Sequence, residues 1–484
     1  MLLTSIFSLL CISLIFLSFI PGHNVKLIRS VSLFSSAIVL FLSCGLLVQF
    51  DCNTHYFQNV IVFALGDQSL NMTFSFGLDG ISIFFFVLTS LLIFLCVLFV
   101  LDEHLLKEYV ISLLLIELLL LLVFSVLDVF LFYIFFEGIL IPMFLMIGLW
   151  GSRERKIRAV YLLFFYTLVG SLLMLVGILY MLSVVGTLNI EYLMSYDFTL
   201  EEQCWLWLAF FLSFASKIPM FPFHVWLPEA HVEAPTVGSV LLAGILLKLG
   251  VYGFLRFSLT LFPLGSLYFS PLVYLLSVLG VIFASMSAIR QTDIKRIIAY
   301  SSVAHMNLVT LGIFSFNIIG LEGSILQSIS HGFVSGAMFF LVGILYNRYH
   351  SRLLYYYGGL VHMMPIYSIL LLIFTMANIA LPGTSSFVGE FLLLTGIYKV
   401  NIISCIVGAL GVILCGAYSL WLYNRIIFGN LKTEFITRFK DIDFKEFSIL
   451  LPLLFFVIFM GVYPSFFSNF IHLSVSNLSL VTTY

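Results

Sequence analysis

The sequence predicts an all-α polytopic membrane protein with about 14 transmembrane helices, and three observations carry that expectation. Hydrophobic residues fill 62% of the 484 positions and charged residues only 9%, where soluble domains carry roughly a quarter charged. Mean hydropathy is +1.18. Apolar runs of about twenty residues, each long enough to cross ~30 Å of hydrocarbon as a helix, recur along the whole chain. The alternation of polar and apolar residues that marks membrane β-barrel strands is missing.

In chain order the runs lie near 2–20, 28–49, 81–101, 109–124, 128–149, 159–185, 204–227, 236–255, 270–289, 297–315, 324–346, 363–395, 401–424 and 447–468. The first, "MLLTSIFSLLCISLIFLSFIPG", has no basic residue ahead of its apolar core and no small-x-small cleavage site, so it reads as a spanning helix rather than a signal peptide. No Arg-rich transit sequence precedes it; an organellar chain of this kind would be made inside the organelle.

Orientation follows from the basic residues, because cytoplasmic and matrix loops are enriched in Lys and Arg. Of the 21 basic residues, 17 fall in odd-numbered loops. These are Lys26 and Arg29; Lys107; Arg153, Arg155, Lys156 and Arg158; Arg290, Lys295 and Arg296; Arg348 and Arg352; and Arg425, Lys432, Arg438, Lys440 and Lys445. Even-numbered loops hold Arg256 and Lys399, while the one after the sixth run is acidic (Glu191, Asp197, Glu201, Glu202). Both termini are therefore expected on the outer, positive side.

Two bases, Lys217 and Lys248, and three carboxylates, Glu117, Glu137 and Glu390, lie within apolar runs. A charge at that depth costs about 2.5 to 3.5 kcal/mol on insertion scales, so each needs a partner, water or neutralisation. Burial disfavours the charged form and an opposite charge within ~4 to 6 Å restores it. A buried lysine near a movable glutamate is thus a proton-binding group with two settings. The competing readings are structural: Lys217 could snorkel to an interface, Glu137 could make a fixed hydrogen bond, and Glu117 could be a packing carboxylic acid.

Lys217 is followed by Pro219 and Pro222 in "SKIPMFPFHVWLPEAHVEAPT". A proline inside a helix frees a backbone carbonyl, tolerated at membrane depth only where protein or water covers it. Interrupted helices in corresponding positions of two halves mark ion pathways in transporters. The second half supplies "ANIALPGTSSFVGEFLLLTG", with Pro382-Gly383 and Glu390 just beyond. Two broken helices, each with one ionisable group, suggest a pair of inverted half-channels. His305 and His331, flanked by Ser301, Ser302, Ser328 and Ser330, suit a water-assisted relay between them. His224 sits past Pro222, at a depth the sequence leaves open.

The seven cysteines, Cys11, Cys44, Cys52, Cys96, Cys204, Cys405 and Cys415, show no metal-ligand spacing and read as packing residues. There is no Gly-rich phosphate loop, so no redox cofactor, metal or nucleotide is expected in this chain.

The stretches "FYIFFEGILIPMF", "SKIPMFPFHVWLPEAHVEAPTVGSVLLAGILLKLG", "RQTDIKRIIAYSSVAHMNLV", "SHGFVSGAMFF" and "LPGTSSFVGEFL" resemble the antiporter-like subunits of respiratory complex I, NADH:ubiquinone oxidoreductase, and among them the subunit 4 family. The similarity covers nearly the whole chain, is weakest over the first 75 residues, and is most specific in the lysine-proline stretch. It implies two inverted five-helix repeats, each with a broken helix: helices one to three in 1–107, a first repeat in 108–255, a second in 256–424, and a basic loop with the last helix in 425–484. It also implies that Glu137 is the helix-five glutamate, Lys217 the broken-helix lysine, Lys248 the central lysine and Glu390 the ionisable group of the second broken helix. Glutamate rather than lysine at 390, and a chain ending at Tyr484 without a long lateral helix, separate subunit 4 from subunits 2 and 5. By the same resemblance NADH, FMN, iron-sulfur clusters and ubiquinone are bound by other subunits of the complex. The expected partners are membrane-arm subunits, especially antiporter-like subunits 2 and 5, together with lipids but no nucleic acid. The expected location is the mitochondrial inner membrane with both termini on the intermembrane-space side, or a bacterial plasma membrane. A multi-subunit cation/proton antiporter and a membrane-bound hydrogenase share these motifs, though 53 Phe and 23 Tyr suit an AT-rich organellar genome. An inert scaffold is the reading from outside this class.

Overall fold

Helices follow the apolar runs because a backbone with no water around it must satisfy its own polar groups. The computed structural model describes residues 2–64, 73–100, 105–432 and 440–483; Arg438 and Tyr484 lie outside them. The chain divides into two units. The first comprises Met1–Lys217, Lys248–Phe269 and Asn469–Tyr484, the second Ile218–Leu247 and Ser270–Ser468.

The first unit opens with α1 (Leu2–Phe19) and α2 (Val25–Gln49), then the strands β1 (Gln58–Ala64) and β2 (Thr73–Leu78). It continues through α3 (Ser82–Phe99), α4 (Leu106–Ser125), α5 (Val129–Gly138), α6 (Leu140–Trp150), α7 (Lys156–Val185), a short α8 (Ile190–Met194) and α9 (Leu200–Lys217). In the second unit α10 (Trp226–Glu233) leads into α11 (Thr236–Leu261), whose residues from Lys248 on belong to the first. Next come α12 (Pro263–Arg290), α13 (Ile294–Ile313), α14 (Ile318–Tyr349), α15 (Pro365–Asn378), α16 (Ser385–Tyr398), α17 (Ile402–Ile427), α18 (Phe444–Val462) and α19 (Ser465–Thr483), of which α12 up to Phe269 and α19 from Asn469 on belong to the first unit.

Sequence chemistry sets many of the boundaries. Asp128 accepts from the backbone N–H groups of Phe130 and Leu131 at the start of α5, and Asn317 and Asn401 cap α14 and α17 in the same way. Asp443 and Glu446 form a reciprocal capping box on α18. Gly186, with φ +80°, ends α7 in the left-handed region that suits glycine.

Among the described residues eleven helices are long and apolar enough to cross a membrane. The expected seventh, tenth and twelfth are not among them. The seventh, α9, carries Glu201, Glu202 and Lys217. The tenth, α13, includes Lys295, Arg296, His305 and Asn307. The twelfth is split into α15 and α16. These three segments hold Lys217, His305 and Glu390, whereas Glu117, Glu137, Lys248 and His331 lie in helices that do qualify.

Three features depart from the sequence expectation. Residues 58–64 and 73–78 pair as antiparallel strands, with Ile61 opposite Phe76 and Val62 opposite Ser75; one short pair leaves too little alternation to stand out. After α18 the chain forms a further helix, α19, instead of a tail. Arg256, read as a loop residue, is buried within α11 and ion-paired to Asp79.

Helix breaks are capped by side chains. After Lys217 the backbone runs irregularly to Val225, and the freed carbonyl of Pro219 accepts from Asn307 Nδ2 at 3.2 Å. At the second break the carbonyl of Ala377 accepts from the Ser386 hydroxyl, and Gly383 takes φ +92°, a conformation that favours glycine. Replacing Asn307 by leucine keeps the shape but removes that donor. An unpaired buried carbonyl costs about 1 to 3 kcal/mol, so Asn307→Leu lowers the thermal midpoint of the assembled protein. An unchanged midpoint would mean that the Pro219 carbonyl needs no cap.

Candidate relay sites

Pro142 has no N–H to offer the Gly138 carbonyl four residues earlier, and α5 ends at Gly138 with α6 starting at Leu140. Glu137 therefore lies at a helix interruption of its own, which the sequence reading did not foresee. Its carboxyl oxygen Oε1 is buried without a hydrogen-bond donor among the described residues, and Ser171 of α7 is within hydrogen-bonding reach of the group.

Lys217 ends α9, where the last-turn carbonyls favour a cation. Its ammonium is buried, donates to no described acceptor and sits 4.4 Å from the centroid of the Phe136 ring, the residue before Glu137. The charges of Glu137 and Lys217 act on each other. The first unit thus brings together the two groups singled out from sequence, with the lysine held by charge and ring rather than by a hydrogen bond. An ammonium so held is easier to displace than one fixed by three acceptors.

Lys248 is fully buried in α11, whose most apolar stretch has no exposed residue. A π-helical turn, Leu242–Leu246, precedes it and a second, Phe254–Ser258, follows. Such turns are rare and occur often at functional sites, because the extra residue rotates the side chains that follow.

The second unit assembles the other predicted group. Glu390 lies in α16, and its Oε1 is 3.0 Å from His305 Nδ1 and accepts from Gln327 Nε2 at 3.0 Å. His305 Nε2 faces Cys415 Sγ at 3.6 Å, and the Tyr418 hydroxyl donates to that sulfur at 2.9 Å. The ring of His331 is 5.8 Å from that of His305. A cavity of about 10 Å³ lies beside His305, Glu390 and Cys415, room for about one water. Of the expected serines, Ser330 pairs with Ser385 at 2.7 Å, whereas Ser302 and Ser328 give their protons to carbonyls of their own helices. Cys415, read as packing, and Gln327 are additional members. Neither had a signal in the sequence beyond lying in an apolar helix.

Glu117 is fully buried in α4 with neither oxygen hydrogen-bonded among the described residues. His224 is half-buried in the irregular stretch, stacked on Phe221 with ring centroids 5.7 Å apart.

Residues 126–415 match the family described as "NADH:quinone oxidoreductase/Mrp antiporter, TM". The chain is 52% identical over 461 residues to the NADH-ubiquinone oxidoreductase chain 4 of Marchantia polymorpha, covering 95% of this chain and 93% of that one. In fold it is similar to a chain of respiratory complex I from Thermus thermophilus, with a TM-score of 0.89, 30% identity and full coverage of both chains. A chain of the Mrp complex from Dietzia shares the fold at 19% identity, with a TM-score of 0.85 over 100% of this chain and 99% of that one. On these grounds the chain belongs to the NADH:quinone oxidoreductase/Mrp antiporter transmembrane family.

Proposed function

We infer that this chain moves protons between the two faces of a membrane through ionisable groups buried in its helices. It is a proton-translocating membrane-arm subunit of an NADH:ubiquinone oxidoreductase, as its family membership and its likeness to chain 4 relatives support. NADH, FMN, iron-sulfur and ubiquinone chemistry belongs to other subunits. Its neighbours are other membrane-arm subunits, antiporter-like subunits 2 and 5 above all. Exposed apolar side chains such as Phe34, Phe41, Phe165 and Phe391 suit lipid or such neighbours. The location is the inner mitochondrial membrane with both termini outside, and the working halves are the inverted repeats 108–255 and 256–424.

Outward movement of a charge against the potential costs about 2.3 kcal/mol per 100 mV, so an open channel would run backwards. The relay therefore needs a gate. Glu137 and Lys217 serve as that gate: when the carboxylate is near, the ammonium is stabilised, and when it moves away the proton is released. Lys248 holds the proton at the centre, and His305, His331 and Glu390 carry it in the second half. The single observation that carries this reading is the Lys217 ammonium, buried over the Phe136 ring and within the field of the Glu137 carboxylate, with no hydrogen-bond acceptor among the described residues.

A substitution series at the acid tests it, with NADH-driven proton movement and the amount of assembled complex as readouts. Glu137→Asp keeps a carboxylate at shorter reach and retains part of the activity. Glu137→Gln removes the switch and loses most of it. Glu137→Lys is worse than Glu137→Gln, because two lysines in one low-dielectric site repel. Equal activity in all three variants would show that Glu137 does not control its neighbour's charge.

A further inference from the structure

A cavity of about 110 Å³ in the first unit is lined by His55, Asp79, Arg256, Thr260, Ser474 and Asn477, among others. A single water needs about 10 to 15 Å³ on this measure, so the space holds several. Its wall contains a buried ion pair, Arg256 Nη2 to Asp79 Oδ1 at 2.5 Å, with both side chains 5% exposed. The contact is an ion pair, with Nη2 left without an aligned hydrogen-bond acceptor among the described residues. The guanidinium also lies over the Phe57 ring, 4.9 Å from its centroid, and Arg256 Nε donates to the Tyr252 hydroxyl at 3.2 Å.

The spacing on α11 gives this cluster a direction. Lys248, Tyr252, Arg256 and Thr260 succeed one another every four residues, the interval that stacks side chains along one helix face. The contact between Tyr252 and Arg256 continues that face through the π-helical turn that holds Arg256. A stripe of proton-carrying or polar groups therefore runs from the fully buried Lys248 to a roomy polar cavity. Nothing in the relay described above uses Tyr252, Arg256 or Asp79.

We propose that Lys248 has its own path to the outer face through the Tyr252 hydroxyl and this cavity, with Asp79 as a proton carrier and Arg256 as the residue that holds it. The inference rests on the proton-relay reading of the chain. In the closed state the guanidinium occupies the Asp79 carboxylate. When Arg256 turns toward the cavity, the Lys248 ammonium gives its proton to the Tyr252 oxygen by way of water. Tyr252 passes its own hydroxyl proton on, Asp79 takes it up, and cavity water then removes it. Tyr252 ends unchanged, one proton has left Lys248, and the return of Arg256 to the regenerated carboxylate closes the path. Arg256 sits near the C-terminal end of α11, the end that leads into the even-numbered loop the basic-residue count places on the outer side.

The test uses the assembled complex in sealed vesicles, with protons moved per NADH oxidised as the readout. Tyr252→Phe removes only the hydroxyl. Loss of a positioned proton carrier slows its transfer by about a hundredfold or more, so the expected result is a lower proton yield per NADH with assembly intact. In parallel, Asn477→Cys at the exposed cavity lip is treated with a bulky membrane-impermeant thiol reagent and compared with the parent chain treated alike. Labelling from the outer face and a fall in proton yield are expected. A normal yield in Tyr252→Phe, labelling from the inner face alone, or labelling without effect on yield overturns the proposal and leaves the ion pair as a static clamp. Should Tyr252→Phe not assemble, the labelled Asn477→Cys complex decides by the same criteria. The two readings fail separately: normal pumping by Lys217→Ala would remove the relay itself, whereas an inactive Lys217→Ala beside a normal Tyr252→Phe removes only this outlet.

Discussion

Lys217→Ala abolishes most coupled proton pumping while leaving the complex assembled. The side chain is buried at the end of α9, yet its ammonium donates no hydrogen bond to a described residue. Its removal therefore leaves no orphaned acceptor, the usual source of a large stability loss. The alkyl stem and the contact with Phe136 are lost, a packing cost of the kind a membrane bundle absorbs. The proton loses its binding group beside Glu137, and a missing general acid or base typically slows transfer by about 10² to 10⁴-fold. NADH-driven proton uptake in vesicles, with assembled complex quantified alongside, measures both effects. Normal pumping by assembled Lys217→Ala complex would assign Lys217 to packing and end the gate reading.

Glu390→Ala loses pumping and lowers assembly, while Glu390→Lys retains a measurable part of both. Alanine strips the Gln327 amide and His305 Nδ1 of the oxygen each of them faces, at about 1 to 3 kcal/mol for each buried group left unpaired. It also enlarges the cavity beside Cys415. Lysine restores a titratable group. Gln327 Oε1 is buried without a donor among the described residues, so the amide can accept from an ammonium, and neutral His305 can do the same. The described partners of Glu390 are thus an amide and an imidazole that can give up its proton, rather than a lysine or arginine. Proton yield per NADH and the amount of assembled complex, measured for both variants, decide the matter. If Glu390→Ala pumps like the parent, or Glu390→Lys is lost from the membrane while Glu390→Ala assembles, Glu390 is no proton carrier.

The two sites share a construction. Each places an ionisable side chain next to a helix interruption: Glu137 before Ile139, Lys217 before Pro219, and Glu390 after Pro382-Gly383. Proline explains all three, because a missing N–H frees a carbonyl at membrane depth and such a break persists only where side chains cover it. Asn307 and Ser386 do so here.

Sequence alone determined the helical class, eleven of the spans among the described residues and the ionisable residues that interrupt apolar runs. These are one-dimensional properties: twenty apolar residues cross a bilayer, and a lysine or glutamate inside such a run is rare enough to mark itself. Buried Asp79, Glu233, Arg256, Lys295 and Arg352 escaped it because they lie at or beyond the ends of those runs. Prolines 219, 222 and 382 likewise announced two of the breaks. Partnerships between side chains were decided only by tertiary structure. That His305 meets Glu390 and Cys415, that Gln327 completes the site, and that Arg256 pairs with Asp79 across 177 residues of chain depend on which helix faces pack together. In a membrane bundle almost every residue is apolar, so hydrophobic periodicity, which orients helices in soluble proteins, carries little information about facing. The strand pair 58–64 and 73–78 stayed hidden because two short segments carry too little alternation of polar and apolar residues to stand apart from the apolar runs around them.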